Sequence, residues 1–252
     1  MDKNFFNIDI GCFNIDSNVL ISIFQRYPTE ELLEELVKMI KSSSVKANKQ
    51  LYTTSLLQLS SLFYHAYISP VTMKNNFPTR IFGVFGTKES TVLTEKYIPH
   101  LIEEIERTES EHVGLTAILA LGKTGHLKGL KTLVKIIETA SLEASTPTKV
   151  NHIIARRTIA VNALKRVAIM NPTEIRPILL AIALNPVESA EVRIAAVSVL
   201  PFSIPTTAEL QKLAIRSWTE SSEQVRAFIV STIRSLAYTK VPELKAVSAK
   251  AR

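Results

Sequence analysis

The chain has 252 residues, 46% of them hydrophobic and 21% charged, with a formal net charge of +7 at pH 7. That hydrophobic content excludes a disordered chain, which pairs low hydrophobicity with high net charge. Seven glycines and 11 prolines exclude collagen-like and low-complexity sequence, and the single cysteine, Cys12, excludes an internal disulfide framework.

The opening stretch, Met1 to Asp9, lacks a basic n-region and interrupts its apolar residues with Asn and Asp, so it does not read as a signal peptide. No run of 18 apolar residues long enough to span a bilayer occurs anywhere. Residues 1–25 differ from the rest. Phe6-Asn7-Ile8-Asp9 recurs as Phe13-Asn14-Ile15-Asp16, and the alternation predicts an irregular or strand-like arm. From residue 26 to 252 the pattern predicts one helical domain.

Thr29 to Ile40 opens on Glu30 and Glu31 and sets Leu32, Leu33, Leu36, Val37 and Ile40 on one stripe, which predicts an amphipathic helix. Leu51 to Ile68 predicts a second helix, apolar on most sides. Residues 69–88, with Pro70, Pro78, Gly83 and Gly86, predict a long loop. Helices are then expected near 90–107, 110–122, 127–140, 149–170, 172–184, 188–200, 206–217, 221–238 and 242–251. Thr206-x-x-Glu209 and Ser221-x-x-Gln224 have capping-box spacing. Asn171-Pro172 and Asn185-Pro186 each predict the end of one helix and the start of the next. Connections this short make neighbouring helices antiparallel.

A repeat runs through this region. Ser110 to Leu121 aligns with Ser189 to Leu200, superposing Ala117 on Ala196 and Val113 on Val192. Arg157 to Leu164 aligns with Arg193 to Leu200, and Val225-Arg226 repeats Val192-Arg193. Periods of this length mean stacked helical hairpins that bury their apolar faces only against neighbours. The predicted fold is an all-α, α-α superhelix of antiparallel helix pairs, a solenoid horseshoe of HEAT/armadillo type.

Motifs for chemistry are weak. Gly122-Lys123-Thr124 lacks the upstream glycine of a phosphate loop, whose place Ala117 takes, and it follows a helix rather than a strand. Gly122 and Gly125 read instead as helix-stop and turn residues. Five histidines and Cys12 show no metal-ligand spacing, and no nucleophile elbow is present. No catalytic, cofactor-binding or metal residue is assigned, and the chain is not read as an enzyme.

Charge is the remaining signal. Residues 1–126 hold 12 Lys+Arg against 14 Asp+Glu, whereas residues 127–252 hold 18 against 9. A basic half suits an anionic partner, though excess charge also simply maintains solubility. Arg156, Arg157, Lys165 and Arg166 are the candidate anionic-surface contacts, weighed evenly against a structural role. Arg193 and Arg226 recur at one repeat position and are read as structural, as are the aligned Ala117 and Ala196.

Ala120-Leu-Gly-Lys-Thr-Gly-His-Leu-Lys-Gly-Leu130 resembles the Ala-Leu-Gly-Asn-x-Gly-His-Pro element of the vitellogenin N-terminal, or large lipid transfer protein, family. Glu95 to Leu101, Glu191 to Val197, Gln224 to Arg226, Ile233 to Ala237 and Val241 to Arg252 resemble further helices of that family's helical domain, in order. Lys123 stands where the family has Asn. The resemblance implies lipid transport: the chain is the helical scaffold of a vitellogenin-like lipid carrier of the yolk-reservoir type, extracellular or secreted. The family's β-barrel and cavity sheets are not recognised here, so a fragment or a truncated paralogue is expected. Lipid is then the implied partner, with a protein partner or homodimer left open. The alternative is a free-standing α-solenoid interaction scaffold that binds a protein or an anionic surface. Nucleic acid ranks last, for want of a reading element.

Overall fold

The computed structural model describes residues 30–68, 89–139 and 146–252. The expected arm at 1–25 and the expected loop at 69–88 lie outside them. Every described element is a helix. The chain divides into two compact units, Met1–His100 and Leu101–Arg252.

In the first unit, α1 (Glu30–Lys41) buries Leu33, Leu36, Val37 and Ile40 as one stripe. A short α2 (Ser43–Ala47) precedes α3 (Lys49–Phe63), which begins where Asn48 accepts the Leu51 amide. Two π-helical turns follow, Tyr64–Ile68 and Val92–Tyr97. Tyr97 is fully buried, stacks on Phe63 with ring centroids 5.2 Å apart, and donates to the Leu56 carbonyl at 2.6 Å. Burial of its phenol in this apolar core raises its pKa above the ordinary tyrosine value. Tyr52 and His100 form a second buried polar pair at 3.0 Å. Glu30 accepts hydrogen bonds from Tyr67, from Ser90 at 2.9 Å and from the Val92 amide at 3.0 Å. Although burial pushes the Glu30 carboxyl up, these donors hold it below the usual carboxylate value.

A further helix, α4 (Ile98–Arg107), leads into the second unit. There α5 (Glu111–Lys123), α6 (Leu130–Glu138), α7 (Pro147–Met170), α8 (Pro172–Leu184), α9 (Ala190–Val199), α10 (Thr207–Trp218), α11 (Glu223–Tyr238) and α12 (Lys245–Ala251) alternate between two rows. One row is α5, α7, α9 and α11, each packed on the next; the partners α6, α8, α10 and α12 pack against them, and each pair from α5/α6 to α11/α12 is one layer of the stack. Ala117, Ala160 and Ala196 share one repeat position and are fully buried, as are Leu164, Val192, Val225 and Ile229. This is the predicted stack of antiparallel pairs.

The turns are set by local chemistry. Thr206 and Glu209 form the expected reciprocal capping box. The box expected at Ser221 and Gln224 does not form; Ser222 accepts the Val225 amide instead, so α11 starts one residue later. Asn171-Pro172 ends α7 and begins α8 as predicted, but Pro186 begins no helix. Residues 185–189 form a turn, held by Asn185 Oδ1 accepting the Val187 amide at 3.1 Å, and Ser189 precedes α9. Nor does Gly122 stop α5. It lies inside that helix, where an added Cβ would sit 2.5 Å from Ala163 Cβ on α7. Gly125, at φ 68°, is the turn residue.

Replacing Gly122 with Ala forces α5 and α7 apart, because the obstruction is backbone and Cβ rather than a flexible side-chain tip. The expected cost is about 1–3 kcal/mol of stability, read as a lower urea midpoint with the helical circular dichroism retained below the transition.

Candidate functional site

Stacking helix pairs buries helix ends, whose last carbonyls have no partner inside their own helix. In the second unit arginines supply those partners. Arg193, on α9, is 2% exposed and donates through Nε to the Ala183 carbonyl at 3.3 Å, in the last turn of α8. Its two terminal nitrogens grip the Glu220 carboxylate as a fork, with Nη1 to Oε1 at 3.0 Å. Glu220 Oε1 also accepts the Ser222 amide at 3.0 Å, just ahead of α11. One guanidinium thus joins the end of one helix, its own helix and the start of the helix in the next layer.

The pattern repeats one layer earlier. Arg157, on α7, donates from Nε to the Ile137 carbonyl at 2.7 Å, at the end of α6, and forks onto Glu188, which accepts the Ser189 amide at 2.8 Å. The acids lie 31 and 27 residues beyond their arginines.

A layer before that, the repeat position is Gly114 rather than arginine. Arg156 fills the space from α7: its Nη1 lies 3.5 Å from where a Gly114 Cβ would stand, and its Nη2 donates to the Ile105 carbonyl at 3.3 Å. The C-termini of the alternate helices α4, α6 and α8, at Ile105, Ile137 and Ala183, therefore each receive a guanidinium, the charge that the helix dipole favours there.

Arg226 departs from Arg193. Its side chain is 48% exposed and pairs with Glu223 on its own helix at 3.6 Å.

At the opposite ends of these helices, Arg166 donates to the Lys123 carbonyl at 2.6 Å, and Arg176 to the Ile204 carbonyl at 3.0 Å. Burial, reinforced by the Arg166 charge, lowers the Lys123 pKa. Lys165 sits over the Phe202 ring at 4.1 Å, a cation–π contact.

The four candidate contacts thus form no single patch. Arg156 and Arg157 lie eight or more residues from Lys165 and Arg166 on one helix, about 13 Å apart at 1.5 Å per residue. The heads of Arg156, Arg157 and Arg166 point to carbonyls. Sequence spacing missed Glu188 and Glu220 as partners. The signal was their place two residues or fewer ahead of a helix N-cap. Among the described residues no group of His, Cys, Asp and Glu could hold a metal ion, and no helix is long and apolar enough to cross a membrane.

The fork holds the Glu220 carboxyl down to about pKa 2: Arg193 dominates, outweighing the opposing burial, and the Ser222 amide and Arg216 assist. A carboxyl lowered on folding stabilises the protein fully above its ordinary value near 4.5, and that stabilisation is lost as pH falls toward 2. The melting temperature is expected to decline across that window, and Glu220→Gln to flatten the decline. Arg193→Ala leaves the buried Glu220 carboxylate with only the Ser222 amide and Arg216, 3.6 Å away, and is expected to cost about 3 kcal/mol near neutral pH, the low end for breaking a buried pair, measured by chemical denaturation.

Residues 3–234 match the family model of the vitellogenin TPR domain. The chain is similar to vitellogenin of Anthonomus grandis, 30% identical over 237 residues, covering 90% of this chain and 13% of that protein. Vitellogenin of Bombyx mori is 27% identical, covering 86% of this chain and 12% of its own length. Vitellogenin-1 of Gallus gallus is 27% identical, with 95% and 11% covered. The chain thus spans about an eighth of these relatives' length. A solved structure described as lipid-protein interactions in lipovitellin superposes with a TM-score of 0.73 at 21% identity, over 95% of this chain and 23% of that one. That likeness shows the fold, an all-α superhelix.

Proposed function

The chain belongs to the vitellogenin family by its TPR domain, and from that premise we propose that it is the helical scaffold of a secreted, vitellogenin-like lipid carrier of the yolk-reservoir type. The observation that supports this reading is the arginine ladder. The C-termini of α4, α6 and α8 are each tied to a neighbouring helix by a guanidinium, two of these forked onto carboxylates. Such ties resist the sliding of layer over layer and suit a part that holds shape around cargo rather than one that turns over substrate. Two-way gripping of a carboxylate needs the planar fork of arginine, which lysine lacks.

In this reading the lipid is held by the carrier as a whole, and the scaffold keeps the helical wall rigid. In this reading residues 26–252 act as one functional part. The role is binding and transport; no catalytic step is assigned to it. The solved structure's description names lipid-protein interactions in lipovitellin, which is consistent with lipid as the cargo here.

The test is to isolate the protein from its source tissue with an antibody against this chain and extract it with organic solvent. Phospholipid and neutral lipid are expected in many copies per chain. Lipid-free protein recovered together with a stoichiometric protein partner would overturn the carrier reading.

A further inference from the structure

Each helix of the row α5, α7, α9 and α11 carries one apolar stripe four and seven positions beyond the register of Gly114, Arg157, Arg193 and Arg226. The stripe is Ile118 with Leu121, Val161 with Leu164, Val197 with Leu200, then Val230 with Ile233. This spacing sets the register residue and both apolar residues on one side of a helix. In α5, α7 and α9 the six apolar side chains are at most 2% exposed, since each of these helices packs on the next of the row.

Among the described residues α11 is the last helix of that row, and its stripe is open. Val230 is 42% exposed, Ile233 is half-buried, and Arg226 stands 48% exposed at the register position. Arg234 and Tyr238 carry the exposed face one and two turns further.

Arg226 is also loosely held. Its nitrogen lies 3.6 Å from Glu223, beyond hydrogen-bond reach, and that acid is 87% exposed. A surface pair of this kind contributes little and exchanges readily for a better partner. At the same register Arg157 and Arg193 grip Glu188 and Glu220, which stand one and two residues ahead of the N-caps Ser189 and Ser222 in the following layer.

We infer that the open face of α11 is a docking site for an amphipathic helix of a partner protein, whose lead-in carboxylate Arg226 grips and whose apolar stripe covers Val230 and Ile233. The layers below give the occupant's chemistry: a Glu or Asp one or two residues before the N-cap, then apolar residues at helical spacing. Continuity carries the inference, because the face extends an interface already made between α5 and α7, α7 and α9, and α9 and α11, in the same register. Arg226 and Arg234, two turns apart, favour an acidic occupant. A second copy fits less well, since two such faces set together would oppose like charges. This role goes beyond the scaffold reading and holds whatever the cargo.

The probe is a fluorescent peptide of residues 219–238, the segment that fills the equivalent seam of α9, titrated into the full chain with anisotropy as the readout. Saturable binding is expected. Arg226→Ala in the chain should weaken it about tenfold, as loss of a hydrogen-bonded charge pair does. Glu220→Gln in the peptide should weaken it by a similar factor. Both changes together should weaken it no further, because they remove one contact. Val230→Asp in the chain should also weaken binding while the melting temperature holds, the side chain being partly in solvent already. Absence of binding would overturn the inference, as would binding that Arg226→Ala and Val230→Asp leave intact, the mark of exchange with the chain's own α11. A concentration-dependent dimer that Arg226→Ala dissolves would put a second copy on the face and overturn it as well.

Discussion

The second unit depends on one constraint: a helix end buried by its neighbour must find donors for its last carbonyls. Ile105, Ile137 and Ala183 each meet an arginine from the adjoining layer. Two of those arginines also hold a glutamate that caps the approach to the next helix. The donors answer the unpaired carbonyls and the helix dipole together. Because the fork is rigid, it also fixes the spacing between layers in a way that apolar contact alone does not.

Gly114 shows that the constraint, rather than the residue, is what the structure keeps. The first layer has no arginine at the repeat position, and the guanidinium arrives instead from Arg156 on another helix. The same carbonyl is served by a different route. Arg226 shows the converse, since the same residue type at the same repeat position stands half in solvent with a partner on its own helix. At the shared repeat position, the buried arginines Arg157 and Arg193 are the ones that meet a glutamate ahead of a later helix.

The ladder also sorts charge. Glu188 and Glu220, just ahead of α9 and α11, are neutralised where they stand by Arg157 and Arg193. Glu209, at the start of α10, is held instead by its own cap and by Arg176. A close approach elsewhere, Gly122 against Ala163, permits the helix spacing on which the ladder rests.

Much of this was legible in the sequence, where the governing forces are local. Apolar spacing set the helices, Thr206 and Glu209 set a cap, and the aligned alanines and arginines marked the repeat and with it the all-α stack. Local rules failed where a neighbour intervened. Ser221 lost its cap to Ser222, Pro186 started no helix because Glu188 must hang in the turn to reach Arg157, and Gly122 was needed by α7 rather than by its own helix end. Which carboxylate each arginine takes, 27 or 31 residues away, is absent from any local pattern, as is the split of Arg156 and Arg157 from Lys165 and Arg166. Those pairings depend on how layers stack, and stacking is decided by the summed packing of side chains far apart in the chain. The sequence by itself determined the helices and their repeat; only the tertiary structure decided which charges are spent inside the stack and which face outward.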